Sequence, residues 1–278
     1  MINRNFIQRS LISAADLLKD SLSSEEHASL RRLLQSLDPR IKVLTFILFI
    51  FLVLLAQSIF SVLSLYLFCL MLACASGIGL GFFLKRTWLF IPLFSLFIGL
   101  PAIFSYFTPG EALFSITLFG ATLAVTRQGL NGAGLFVSRV TTSVSFVVLL
   151  SLTTRQTVLL KVLRVFKVPH IFVMTLGICY RYIFLFIQVI DNTYLSIKSR
   201  VGTIIHYKRG QRIVAWNIAS LWQRSYQLNE DVYSAMLSRG YQGEPALLYD
   251  FKLKLLDWLW LCFSLLIFIV FTAKQFPS

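Results

Sequence analysis

Long stretches of apolar residues recur along this chain and are separated by short polar stretches. A helix needs roughly 20 apolar residues to cross a hydrocarbon layer of about 30 Å. Stretches near that length predict five membrane spans, at 41–57, 59–82, 87–107, 129–152 and 254–272. The fold class is therefore all-α, that of a polytopic α-helical membrane protein.

One further segment, 108–128, is apolar enough to have two interpretations. Its Pro109, Gly110 and Gly120 favour an outer loop that contains a short hairpin. The alternative is a sixth helix over 112–127. The number of spans is therefore five, or six if this segment crosses the membrane.

The composition agrees with this class, and the charge distribution sets the orientation. Hydrophobic residues occupy 57% of the 278 positions, and the mean hydropathy is +0.75. Loops rich in Lys and Arg stay cytoplasmic, and a cytoplasmic N-terminus places 23 of the 26 basic residues inside. We therefore predict a multi-pass protein of the cell (inner) membrane. The net charge of +14 favours contact with the lipid bilayer over nucleic acid.

The same pattern divides the chain into four regions. They are cytoplasmic N-terminal amphipathic helices over 1–39, transmembrane helices 1–4 over 40–152, a helical cytoplasmic domain over 153–253 and the last transmembrane helix over 254–278. The N-terminal region is expected to lie on the membrane face or against a partner.

The cytoplasmic domain over 153–253, which we call the insert, is expected to form three helices. A short one covers about 154–166 and ends before Val168-Pro169, and two long ones cover about 170–200 and 211–239. The last of these has apolar residues at spacings of three and four, so it can pack against its neighbour. Both long helices end in a serine followed by an arginine.

No constellation of catalytic or metal-binding residues is evident in the sequence. The chain has no G-x-x-x-x-G-K-[ST] phosphate loop, its three histidines fall in different segments and its four cysteines lie in apolar stretches. No acidic residue is expected inside a span, where an ion relay would place one. We therefore predict a non-catalytic subunit with no cofactor and no metal site, so any ATP is hydrolysed elsewhere.

Two arginines lie in apolar surroundings. Arg139 is well inside the fourth span and Arg181 is in the apolar half of the first long helix. A charged side chain at such a position faces the interior of the helix bundle or reaches the membrane–water interface. Hydrogen bonding to internal carbonyls is the favoured interpretation over a transport role, and the roles of both stay open.

The paired helix ends are the candidate functional feature. Ser199-Arg200-Val201 and Ser238-Arg239-Gly240 are 39 residues apart and each closes a long helix. One such end is explained by the favourable interaction of a cation with the helix dipole. Two equivalent ends in one basic insert favour docking to a partner with two equivalent sites, because the planar guanidinium can bind a carboxylate with two charge-assisted bonds.

The chain resembles the T component, or energy-coupling transmembrane subunit, of energy-coupling factor (ECF) transporters, in particular the cobalt and nickel transport branch. The matching elements are Asp38-Pro-Arg-Ile-Lys-Val43, Val125-Thr-Arg-Gln-Gly129, Leu152-Thr-Thr154, Val168-Pro169, Tyr180-Arg-Tyr182 and the two Ser-Arg endings. The resemblance implies that the insert is a cytoplasmic coupling domain with long coupling helices.

The resemblance also implies partners and site residues. Two ABC-type ATPase subunits would receive the arginine motifs, so the implied ATPase-docking residues are Ser199, Arg200, Val201, Ser238, Arg239 and Gly240. A membrane-embedded S component would bind the substrate. The family pattern has glycine after arginine, and the first motif departs from it, with Val201 at that position and glycine one residue later.

The function implied is that of a scaffold that transmits the ATP-driven motion of the ATPases to the S component, for uptake of cobalt or nickel. The sequence does not choose among cobalt, nickel and a vitamin as cargo, nor between a homodimer and a heterodimer of ATPases. An alternative is a stand-alone membrane channel or carrier with a basic cytoplasmic regulatory domain. A membrane-embedded enzyme is disfavoured by the lack of clustered His, Asp, Glu or Cys.

Overall fold

The computed structural model describes residues 32, 34–88, 91–101, 112–118, 121–201, 207–242 and 253–275, without the side chains of 112–125, 194, 197–198, 201, 207–210 and 213–214. Over this part of the chain the protein is an all-α membrane protein with one short β-hairpin. Its elements are α1 (Pro39–Leu55), α2 (Ile59–Ala75), α3 (Leu80–Trp88), α4 (Ile91–Gly99), β1 (Ala112–Leu118), β2 (Ala121–Thr126), α5 (Arg127–Thr153), α6 (Gln156–Val165), α7 (His170–Val201), α8 (Tyr207–Ser238) and α9 (Leu255–Gln275).

The first two helices form a tight pair because local residues fix both helix starts. Asp38 is the N-cap of α1, where its side chain accepts a bond from the Arg40 N–H, and Pro39 occupies the first helical position. Ser58 caps α2 in the same way by accepting from the Ser61 N–H. Only residues 56–58 separate the two helices, so the short connection implied by the predicted spans 41–57 and 59–82 is confirmed.

The third predicted span differs in position from the structure. It was expected over 87–107, whereas the helical segment runs over Leu80–Gly99, which is long and apolar enough to cross a membrane. Within it α4 begins at Ile91, and Pro92 takes its second position. Proline lacks a backbone N–H and is tolerated in the first turn of a helix, where that donor has no intrahelical partner.

The ambiguous segment after α4 forms a hairpin. β1 and β2 pair antiparallel, with Leu118 opposite Ala121, and the register is irregular between Ala112 and Phe114. The expected short hairpin is therefore confirmed, and the alternative sixth helix over 112–127 is wrong. The structure has four helical segments of spanning length and composition in its described part, together with the shorter apolar helix Ile59–Ala75.

The hydrophobic core lies where α1 and α2 pack against α5. Phe49 and Phe146 stack with their ring centroids 5.5 Å apart, and Phe46 meets Phe146 edge-on at 6.0 Å. Leu34 and Leu37 are buried in the same core. The end of the predicted N-terminal region therefore packs on the helix bundle, while 1–31 and 33 lie outside the described residues.

The chain divides into two compact units. The core unit comprises Ser24–Val162 and Phe251–Ser278, and the long-helix unit comprises Met1–Ser23 and Leu163–Asp250. In the long-helix unit, α7 and α8 have 32 residues each and contact one another. The first part of α7, His170–Thr193, is also long and apolar enough to cross a membrane, and none of it is buried within the chain. The sequence interpretation assigned it to the cytoplasm.

Candidate docking site

The first predicted motif lies in the last turn of α7. Ser199 and Arg200 are exposed, and α7 ends at Val201. The Ser199 hydroxyl donates to the Ser196 carbonyl of the same helix, at 2.8 Å. The serine is thus satisfied locally and leaves Arg200 available at the helix end. Gly202, the glycine one residue later than in the family pattern, lies outside the described residues.

The second motif closes α8 with a Schellman motif. Gly240 has a φ of +80°, and its N–H donates to the Leu237 carbonyl at 3.0 Å. The Tyr241 N–H donates to the Met236 carbonyl, also at 3.0 Å. This pair of bonds satisfies carbonyls at the helix end and needs a left-handed residue, which glycine adopts readily. Arg239 is the exposed residue directly before this turn.

The two arginines are not brought together. The Tyr241 hydroxyl donates to the Met174 sulfur at 3.1 Å, so the end of α8 lies beside the start of α7. Arg200 is 26 residues beyond Met174, which corresponds to about 39 Å along a helix at 1.5 Å per residue. Neither Arg200 nor Arg239 has a side-chain partner within the described part of the chain. They form two separate exposed cations on one unit.

A second cluster of polar residues, which the sequence did not reveal, lies where α1, α5 and α9 meet. We call it the polar junction, and it comprises Asp38, Lys42, Thr153, Thr154 and Asp257. Lys42 and Asp257 are each only 1% exposed. Charged groups at this depth persist only when they are paired or hydrogen-bonded.

Asp257 ties together the starts of two helices. Its carboxylate accepts a bond from the Asp38 N–H before α1 and another from the Lys254 N–H before α9, both at 2.8 Å. The expectation that no acidic residue lies inside a span is therefore wrong, because Asp257 is in the first turn of α9. That position suits a carboxylate, since the first turn of a helix has free N–H groups and a partial positive charge.

Lys42 serves the end of a third helix. Its ammonium donates to the Thr153 carbonyl at 3.1 Å and to the Thr154 hydroxyl at 3.2 Å. A cation is favourable at a helix C-terminus, where carbonyls lack intrahelical partners. The Lys42 and Asp257 charges also interact electrostatically. The junction therefore holds two helix starts and one helix end together.

The opposite end of α1 is held by Arg139. Its Nε and Nη2 both donate to the Ala56 carbonyl, at 3.1 and 2.6 Å. Gln275, at the end of α9, is placed to donate to the Leu55 carbonyl at 2.8 Å and to accept from the Gln57 N–H at 3.1 Å. Internal hydrogen bonding of Arg139, the favoured interpretation, is confirmed, whereas Arg181 is exposed on α7.

The described residues contain no group of three or more His, Cys, Asp or Glu that could hold a metal ion. The structure thus defines a class: a polytopic helical membrane protein with a long-helix unit that ends in two exposed arginines. Comparison with known proteins identifies the family within that class.

Residues 31–249 match the family model of CbiQ, described as a cobalt transport protein. The chain is 30% identical over 224 residues to the energy-coupling factor transporter transmembrane protein EcfT of Streptococcus thermophilus, covering 74% of this chain and 80% of that protein. It is also 32% identical over 266 residues to an uncharacterized protein of Methanocaldococcus jannaschii, covering 96% of this chain and 91% of that protein. The chain belongs to the CbiQ family and is the transmembrane T component of an ECF-type transporter.

Proposed function

We propose that this T component couples ATP hydrolysis to transport by docking two ABC-type ATPase subunits at Arg200 and Arg239. The observation that supports this most directly is the placement of the two arginines. Each is exposed at the end of a 32-residue helix, and about 39 Å of helix separates them. Two sites so far apart suit two separate subunits better than one small ligand.

In this proposal, ATP binding draws the two ATPases together and moves the ends of α7 and α8 relative to each other. A membrane-embedded S component, which holds the substrate, follows that movement. The long-helix unit then lies on the cytoplasmic side with the N-terminus, and this chain performs no catalysis. The family description and the resemblance to the cobalt and nickel branch support a transition-metal cargo.

The docking proposal is tested by co-purification of the chain with its ATPases in detergent. We expect Arg200→Ala and Arg239→Ala each to weaken the complex and the double variant to abolish it. Truncating one member of a buried interfacial charge pair costs about 2–5 kcal/mol, which is 30-fold or more in affinity. Arg224→Ala is the matched control, because Arg224 is an exposed arginine in the middle of α8 and its removal changes the net charge equally.

Full retention of the ATPases by the double variant would contradict docking at the helix ends. The apolar face of α8 would then become the place to look for the contact. The cargo assignment has its own test, Co²⁺ and Ni²⁺ uptake by vesicles that contain the chain, the ATPases and an S component. Tight stoichiometric binding of either ion to this chain alone, measured by calorimetry, would contradict the assignment of substrate binding to the S component.

A further inference from the structure

The polar junction lies at a particular place in the connectivity of the chain. The chain leaves the core unit between Val162 and Leu163 and returns to it between Asp250 and Phe251. The outgoing boundary lies within α6, the helix that follows Thr154, and the returning chain reaches Lys254 four residues after Asp250. The junction therefore holds the residues that precede the outgoing helix and follow the returning connection.

The junction holds the two connections through two different residues, Lys42 and Asp257. Lys42 binds the end of α5, from which the chain continues into α6, and Gln156 at the start of α6 donates to Ser151 of α5 at 3.2 Å. Asp257 binds the N–H of Lys254, where the chain re-enters α9. Both charges are anchored on α1, directly through Lys42 and through the backbone of Asp38. One helix thus fixes both connections.

The other end of α1 provides a comparison within the same molecule. Arg139 binds the Ala56 carbonyl there, and like Lys42 it joins α1 to α5. No connection to the long-helix unit starts at that end, because α1 continues there directly into α2. The two ends of α1 thus have similar polar contacts but differ in what is attached to them.

We propose that Lys42 and Asp257 are positioning residues for the coupling step, which fix both connections so that movement of the long helices is passed to the core unit. This inference rests on the proposed function as far as transport is concerned. Its structural part does not, because it predicts that the junction limits the freedom of the long-helix unit in this chain by itself.

The structural part is tested with spin labels on two cysteines of the full chain. Cys179 in α7 and Cys262 in α9 are exposed and belong to different units, Cys69 is buried, and the third exposed cysteine, Cys74, is changed to serine. Pulsed electron resonance then gives the distribution of distances between the labels. We expect Asp257→Asn to widen this distribution and Arg139→Gln to leave it unchanged.

The transport part is tested in vesicles with the assembled complex, by Co²⁺ uptake per ATP hydrolysed. We expect this ratio to fall about fivefold or more in Asp257→Asn, a size typical of coupling between sites, while the ATPases stay bound. A merely stabilising contact would lower the yield of complex and leave the ratio unchanged. Arg139→Gln, which removes a contact at the other end of α1, is the control that should behave in that way.

If the Asp257→Asn chain does not assemble with the ATPases, Thr154→Val is the second variant that tests the junction. It removes one hydrogen-bond acceptor of Lys42 and keeps the size of the side chain. An unchanged distance distribution and ratio in the assembling variant would overturn the proposal. So would an equal change in Arg139→Gln, because general loosening of the core would then explain both. If the unchanged chain binds no ATPase, the proposed function fails, and the label distances still test the junction.

Discussion

The end of α8 depends on the backbone of one residue, Gly240. Its φ of +80° is costly for a residue with a Cβ. A Cβ added there would meet no atom within 4 Å, so the cost is confined to the backbone. We expect Gly240→Ala to destabilise the last turn of α8 by about 1 kcal/mol, seen as faster amide exchange at Arg239 and Tyr241. Gly177 in α7 is the control, because it also has open space around an added Cβ but has no positive φ. Gly177→Ala should leave amide exchange in α7 unchanged. An equal effect at both glycines would contradict a cost that arises from the positive φ of Gly240.

Gly77 has the same backbone requirement. It has a φ of +66°, and a Cβ there would meet the guanidinium of Arg32, which is the far end of an exposed, flexible side chain and can move aside at little cost. We expect Gly77→Ala to lower the stability of the core unit by about 1 kcal/mol through the backbone alone, measured by thermal unfolding in detergent. Arg32→Ala in the same chain should recover little of that loss. Gly79→Ala, without positive φ and with no atom near its added Cβ, is the control, and an equal loss there would exclude the backbone cost.

At this scale the sequence predicted that Arg200 and Arg239 lie at helix ends and that glycine follows Arg239, because helix-end residues are recognisable locally. It did not predict the polar junction. Asp38 and Asp257 are 219 positions apart, and only the folded arrangement of three helices brings them into contact. Asp257 was overlooked for a simpler reason, since one acidic residue in the first turn of a long apolar segment scarcely changes its hydropathy.

At the scale of elements, the junction should show energetic coupling between helices. Removing either buried charge leaves its hydrogen-bond partners unsatisfied, at a cost of about 1–3 kcal/mol, and also removes its electrostatic interaction with the other charge. We expect Lys42→Met and Asp257→Asn each to destabilise the core unit, and the double variant to lose less than the two losses added together. Thermal unfolding of the four chains in detergent gives this cycle. Strict additivity would mean that the two charges serve their helix ends independently.

The capped helices α1 and α2 were predictable, since Asp38 and Ser58 mark their starts. The region 80–126 was harder, because its apolar residues do not distinguish a span from a buried strand by periodicity alone. A single span was predicted over 87–107, whereas Pro92 lies in the first turn of the separate helix α4. The hairpin was indicated only by Pro109, Gly110 and Gly120, which break helices without fixing a strand register.

At the scale of the whole molecule, α7 decides the topology. His170–Thr193 has the length and composition of a span, yet the distribution of basic residues predicts that both of its ends are cytoplasmic. If α7 crossed the membrane, Arg155 and Ser199 would lie on opposite sides. Docking of two ATPases at Arg200 and Arg239 would also be limited by which side each arginine occupies.

We therefore expect cysteines at positions 155 and 199 to react with a membrane-impermeant thiol reagent from the same side. Arg155→Cys and Ser199→Cys are made in a chain whose four native cysteines are changed to serine, and both positions are exposed. Both should be labelled in inverted vesicles and protected in intact cells, with Ser58→Cys, in the turn between α1 and α2, showing the reverse pattern. Labelling of 155 and 199 from opposite sides would make α7 a span. Because the unburied surface of His170–Thr193 is apolar, the predicted result requires that it lie along the membrane or against an apolar partner, since water would not favour its exposure.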